Sequence, residues 1–174
     1  MFKSLLILFI SVTILGCSNP SIVNVKKAQI EPLSNSAIFI PRFEGNPDFV
    51  EESTDYFVSL IETKIDNKII QGSALRVEAT DVISGGNLAP VEFALKIAKD
   101  QGAGLLILGK VTSHKTGGSL NGFSTIKVID VATGEKVANF HRPSGMLMAY
   151  SEHQCVMKAV KRTSEDLIAA LKQI

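Results

Sequence analysis

Apolar and polar positions alternate along this chain with two different periods, and the change from one to the other divides it. Ala37-Ile38-Phe39-Ile40 is a short apolar run of buried-strand type that stops at Pro41. Gly45-Asn46-Pro47-Asp48 then reads as a helix start. Asn46 is placed to cap, Pro47 suits the first helical position, and Asp48, Glu51 and Glu52 lie against the positive end of the helix dipole. Phe57, Leu60, Ile61, Ile65 and Ile69 recur at helical spacing, which predicts a helix over residues 47 to about 70 with one face in the core. Leu75-Arg76-Val77-Glu78-Ala79 alternates as a second strand would, and Gly85-Gly86-Asn87 breaks the chain. Pro90 opens a second helix with Val91, Ala94, Leu95 and Ala98 on its apolar stripe and Gly102 just past its end. Leu105-Leu106-Ile107-Leu108 is an unbroken aliphatic run that suits a central strand covered on both faces.

From there the period shortens and turns replace helices as connectors. Residues 117–122, rich in glycine, read as one loop, and Ala132-Thr133-Gly134-Glu135 reads as a tight turn with Gly134 at the left-handed position. Strands are predicted over 123–131 and 136–141. Ser151-Glu152-His153-Gln154 has the pattern of a capping box and opens a last helix that turns Val156, Val160, Leu167 and Leu171 inward. The predicted order is βαβαβββα, an α/β (α+β) domain with a mixed sheet packed by three helices.

The amino end has another character. Lys3 is the sole charge of the first sixteen residues, Leu5 to Leu15 is apolar except for Ser11 and Thr13, and Gly16 precedes Cys17. Such a run is a secretion signal. It is about half the roughly 20 apolar residues that a membrane-spanning helix needs. Ile14-Leu15-Gly16-Cys17 resembles the bacterial lipobox. That resemblance implies cleavage between Gly16 and Cys17, a thioether-linked diacylglycerol on Cys17, and an acyl chain such as palmitate on its new amino group. Each buried methylene contributes about 0.8 kcal/mol, so three chains hold a protein to a bilayer in practice permanently. Ser18 stands where the enteric sorting rule places Asp for inner-membrane retention, which points to the outer membrane. Residues 1–16 are thus expected to be the signal peptide, 17–36 a lipidated tether broken by Pro20 and Pro32, and 37–174 one domain.

Charge and composition then remove several classes of function. Lys3 is one of 18 basic residues, so signal cleavage leaves 17 against 17 acidic ones. A neutral domain with two tyrosines and no tryptophan lacks the field and the stacking surface of a nucleic-acid binder. With Cys17 acylated, Cys155 has no disulfide partner within the chain and is expected as a small buried or half-buried residue.

No constellation of catalytic type stands out. The chain carries serines, His114, His141, His153 and Asp130, but no nucleophile-elbow pattern around any serine. His153 and Cys155 are two apart on a predicted helix and project to nearly opposite sides, so they do not share a metal ion. Gly102-Ala103-Gly104 precedes a strand instead of following one, and Ile107 stands where a nucleotide fingerprint has its third glycine. No catalytic residue, metal ligand or cofactor is therefore assigned. Two candidate partner surfaces are. Met146, Leu147, Met148 and Tyr150 lie in the last connection, where flexible methionines suit either adaptable contacts or a staple beneath the helix. Lys158, Lys161 and Arg162 on the last helix suit either a solvated face or an acidic partner.

The element order, the strand Leu105-Leu106-Ile107-Leu108-Gly109-Lys110-Val111 entered from Gly102-Ala103-Gly104, and Val128-Ile129-Asp130-Val131-Ala132-Thr133-Gly134-Glu135 together resemble the CsgG/LpoB-type periplasmic lipoproteins. These share a fold with the N-terminal domain of TolB, and the resemblance covers residues 37 to 171. It implies a non-enzymatic protein of the outer membrane's periplasmic face. Such a protein works through contacts with other envelope proteins, or as a homo-oligomer, in assembly or regulation of a secretion, flagellar or cell-wall machine. A peptidoglycan-synthase activator and a secretion-pore component are the particular forms within that family. Lys110, His114, Lys115, Lys127 and Asp130 in the hairpin region do not suit a barrel wall, and a short tether does not suit reach across the wall. A small envelope enzyme or ligand-binding protein is the alternative; it needs polar residues converging in a pocket, and His114, His141 and Asp130 meeting in a cleft would favour it.

Overall fold

Long alternating segments become long strands here, and the aliphatic run becomes the strand between them. The computed structural model of the chain describes residues 21–72, 90–116, 119–145 and 151–172. In chain order these form β1 (Ile22–Val25), the short helix α1 (Lys27–Ile30) with a 3-10 turn (Glu31–Leu33), β2 (Ile38–Ile40), β3 (Glu44–Gly45), α2 (Pro47–Glu62) and β4 (Ile69–Gln71). Then follow α3 (Pro90–Asp100), β5 (Leu105–Thr116), β6 (Ser119–Asp130), β7 (Lys136–Pro143) and α4 (Glu152–Lys172). The described strands make one mixed sheet in the order β1-β7-β6-β5-β2-β4, with β3 also paired to β5. β2 is parallel to both β4 and β5, and β3 is parallel to β5, whereas the pairs β5–β6, β6–β7 and β7–β1 are antiparallel. The mixed α+β class expected from the sequence is the one observed.

Period two along β5 divides its side chains between two cores. Leu105, Ile107 and Val111 pack with Phe57 and Ile61 of α2 and Val156, Val160 and Leu167 of α4. Leu106 turns to the other face and meets Ala94 and Ala98 of α3. All three residues of Leu105-Leu106-Ile107 are fully buried, as a strand covered on both sides requires. The last helix buries Val156, Val160, Leu167 and Leu171 as its spacing predicts.

The helix from Pro47 begins as expected, with Asn46 accepting the Asp48 amide at 3.0 Å, but it ends at Glu62 and not near 70. Asn67 breaks the periodicity: its side-chain amide donates to the carbonyls of Ser34 (2.6 Å) and Ser36 (2.8 Å). Ile69 and Ile70 then leave the helix and pair with β2 as β4. Isoleucine at helical spacing is equally at home on a pleated surface, and here the parallel pairing prevails. The strand expected at 75–79 and the break at 85–87 lie outside the described residues. Val91, expected on the buried stripe, is 42% exposed.

The segment read as a tether is largely laid on the domain. β1 pairs with β7 from Ile22↔His141 to Val25↔Ala138, and the α1 turn that follows buries Ile30 completely in the main core. α1 is thus a fourth helix beyond the three expected. The hairpin also differs from expectation, because residues 119–122 belong to β6 and pair with β5 up to Thr116↔Ser119. Gly122 is there for closeness: a Cβ on it would stand 2.4 Å from the backbone carbon of Cys155, so α4 could not lie so near the sheet.

Candidate interaction surface

Asp130 organises the turn at one end of the sheet. Its carboxylate accepts from the Ala132 amide (2.9 Å) and the Thr133 hydroxyl (2.8 Å), and Gly134 takes φ +71. Glu135 then reaches back to the arm, bonding Gln29 at 3.1 Å and pairing with Lys26 at 3.6 Å. Asp130 is therefore a turn residue.

The histidines lie elsewhere. Phe123 sits between His114 (centroids 5.6 Å) and His141 (5.7 Å, nearly parallel planes), and His141 Nδ1 lies 2.9 Å from the Thr125 hydroxyl. Seven residues of β6 separate Phe123 from Asp130, about 23 Å at the strand rise. His114, His141 and Asp130 do not meet in a cleft. Among the described residues no three His, Cys, Asp or Glu side chains are grouped to hold a metal ion. Cys155 is buried and free, with its thiol 3.5 Å from the Leu120 carbonyl oxygen, while His153 turns outward to Glu52 at 2.8 Å.

An open groove of about 860 Å³ lies between the amino-terminal halves of α2 and α4, lined by Asp48, Glu51, Glu52, Asp55, Tyr56, His153 and Met157 among others. Helical spacing puts these four carboxylates on one side of α2. The sequence showed three of them, but only as complements of the helix dipole. Their charge is partly answered within the chain: Arg42 pairs with Glu51 at 3.5 Å, His153 meets Glu52, and Gln71 donates to Asp55 at 2.7 Å.

The basic surface of α4 is more structural than its sequence suggests. Arg162 donates to the Pro143 carbonyl at 3.0 Å and braces the end of β7. Lys161 lies 3.9 Å from Glu165, and Lys158 is half-buried. Beside them Arg142 grips Asp166 through two bonds of 2.6 and 2.9 Å. The hydrogen bond to Asp166 raises the Arg142 guanidinium above its ordinary pKa, and burial opposes it only in part. Gly16 and Cys17, and the segment with Met146, Leu147, Met148 and Tyr150, lie outside the described residues. Sequence reasoning missed the His114–Phe123–His141 row, because it exists only through the pairing register of three strands. It also missed the half-exposed Ile22 (49%) and Val23 (50%) on the edge strand. No helix of the described residues is long and apolar enough to cross a membrane.

No protein-family model matches the chain, and no curated protein matches it in sequence. Solved structures do match in fold. The PelC dodecamer from Paraburkholderia phytofirmans aligns with TM-score 0.58 at 16% identity, over 85% of this chain and 96% of that one. A single-substitution variant of the same PelC dodecamer gives TM-score 0.57 at 13% identity, over 86% and 98%. The LpoB C-terminal domain from Salmonella enterica also matches, at TM-score 0.45 and 13% identity over 68% and 94%. The likeness to the PelC structures is one of fold.

Proposed function

We propose that this chain is a lipoprotein, anchored through Cys17 to the periplasmic face of the outer membrane, whose domain acts without catalysis by contacting other envelope proteins and copies of itself. The observation that carries this reading is the placement of Ile14-Leu15-Gly16-Cys17 at the end of an apolar leader, five residues before a strand docked on the domain. Three acyl chains at that point would keep the domain at the bilayer. What it does there is then decided by what it touches. The CsgG/LpoB-type resemblance of the sequence supports an envelope role, and the dodecamer formed by the similarly folded PelC supports self-association. The separation of His114 and His141 from Asp130 favours contact over the enzymatic alternative.

A Cys17→Ser form tests the reading. The expected result is an uncleaved precursor, or one released from the membrane fraction, while the unaltered chain sediments with outer membranes. Normal maturation and membrane recovery of the serine form would overturn it.

A further inference from the structure

We propose that the end of the sheet carrying the β5–β6 hairpin faces the lipid surface, and that the Asp130–Glu135 turn points away from it. This rests on anchoring at Cys17, proposed above, and adds an orientation that anchoring alone does not give.

The direction of β1 carries the inference. β1 is antiparallel to β7, with Ile22 opposite His141 and Val25 opposite Ala138. Followed backwards from Val25 to Ile22, the chain therefore heads toward Pro143, the end of β7. Pro143 pairs with Phe123, Phe123 with Thr112, and the hairpin closes beyond them at Thr116↔Ser119. Cys17 stands five residues before Ile22, a link of at most about 18 Å at full extension. From the level of Ile22, the hairpin tip at Ser119 lies six residues along β6 from Thr125, about 20 Å in the direction the chain is already taking. The opposite turn lies about 17 Å the other way. A link this short that first had to reverse would use its length in the turn and could not bring that end to the bilayer.

Charge agrees with geometry. Of the basic side chains on the three long strands, His114 and Lys115 lie toward the hairpin, Lys110, His141 and Arg142 lie near the level of Ile22, and Lys127 and Lys136 lie toward the far end, which also holds the strands' single carboxylate, Asp130. His114 and Lys115 are exposed near the tip, His114 beside the Phe123 ring. Basic side chains of this kind suit the phosphates of a headgroup layer. The distal turn differs in carrying two carboxylates, Asp130 and Glu135, beside Lys26 and Lys136.

The chain contains no tryptophan, so a single introduced one reports its own depth. Lys115 and Lys136 are both exposed and lie nine residue steps apart along the sheet, through the pairs Lys136↔Ile129 and Ile129↔Leu106, about 30 Å. Acylated Lys115→Trp and Lys136→Trp forms are reconstituted into vesicles containing phospholipid brominated in the headgroup-proximal chain. Quenching several times stronger at position 115 than at 136 is expected, and a flexible Gly-Ser insertion between Ser18 and Asn19 should abolish the difference. Equal quenching, quenching at neither position, or stronger quenching at 136 would overturn the orientation. If the mass of the purified chain shows no acylation, the anchoring reading fails. The orientation is then judged separately, with Cys17 coupled to a maleimide phospholipid while Cys155 stays shielded at 1% exposure.

Discussion

Arg142 and Asp166 join the last strand to the last helix through both carboxylate oxygens, with side chains only 29% and 19% exposed. Two parallel charge-assisted bonds fix geometry as well as energy. The guanidinium's pKa is raised in the folded chain, so its stabilisation is complete below the ordinary arginine value and is lost only as pH climbs through the folded one. On the arginine side the pair is therefore constant through neutral pH. Asp166→Asn is expected to cost about 1–3 kcal/mol in urea denaturation, between the small contribution of surface pairs and the larger penalty of orphaning a buried charge. A cost under about 0.5 kcal/mol would mark the pair as a surface one. The sequence could not show this pair, because its members are 24 positions apart and meet only once β7 and α4 are packed. The same holds for Ser124 and Thr163, whose hydroxyls meet at 2.9 Å in the core between β6 and α4. What was legible at this scale was local: the Asn46 cap, the left-handed Gly134 and the burial of Cys155 all follow from chemistry within a few residues.

Among the elements, the amino-terminal arm changes the picture most. Its β1 strand is mostly exposed, so the pairing with β7 alone would be weak; Ile30, fully buried one turn later, is the peg that holds it. Lys26 adds a backbone bond to Val137 at 2.9 Å. Ile30→Ala is expected to cost about 2–5 kcal/mol and to speed amide exchange in residues 22–25 more than in β6. Unchanged exchange at β1 would show that the arm is held by its strand pairing instead. From sequence, tether and docked arm are not distinguishable, since Pro20, Pro32 and scattered apolar residues look like a linker until a free sheet edge is there to receive them. Long periodic segments were read correctly, whereas the helix end at Glu62 was not, because Ile65 and Ile69 fit both periods and the parallel neighbour β2 decided between them.

At the scale of the whole molecule, the docked arm shortens the tether expected over residues 17–36 to a link of a few residues between Cys17 and Ile22. A domain held through Cys17, as proposed, would sample little space. Under that proposal partners would come to it or stand beside it in the same leaflet, and the groove between α2 and α4 and the exposed face of α4 would be surfaces open to them. The proposed confinement rests on a leader ending at Cys17 and depends on one covalent event. The most direct measurement is the intact mass and amino-terminal fragmentation of the mature protein taken from membranes. The account predicts a chain that begins at Cys17 and carries a diacylglycerol on sulfur and an acyl chain on nitrogen. A mature chain that begins elsewhere, or a Cys17 with a free thiol, would contradict it.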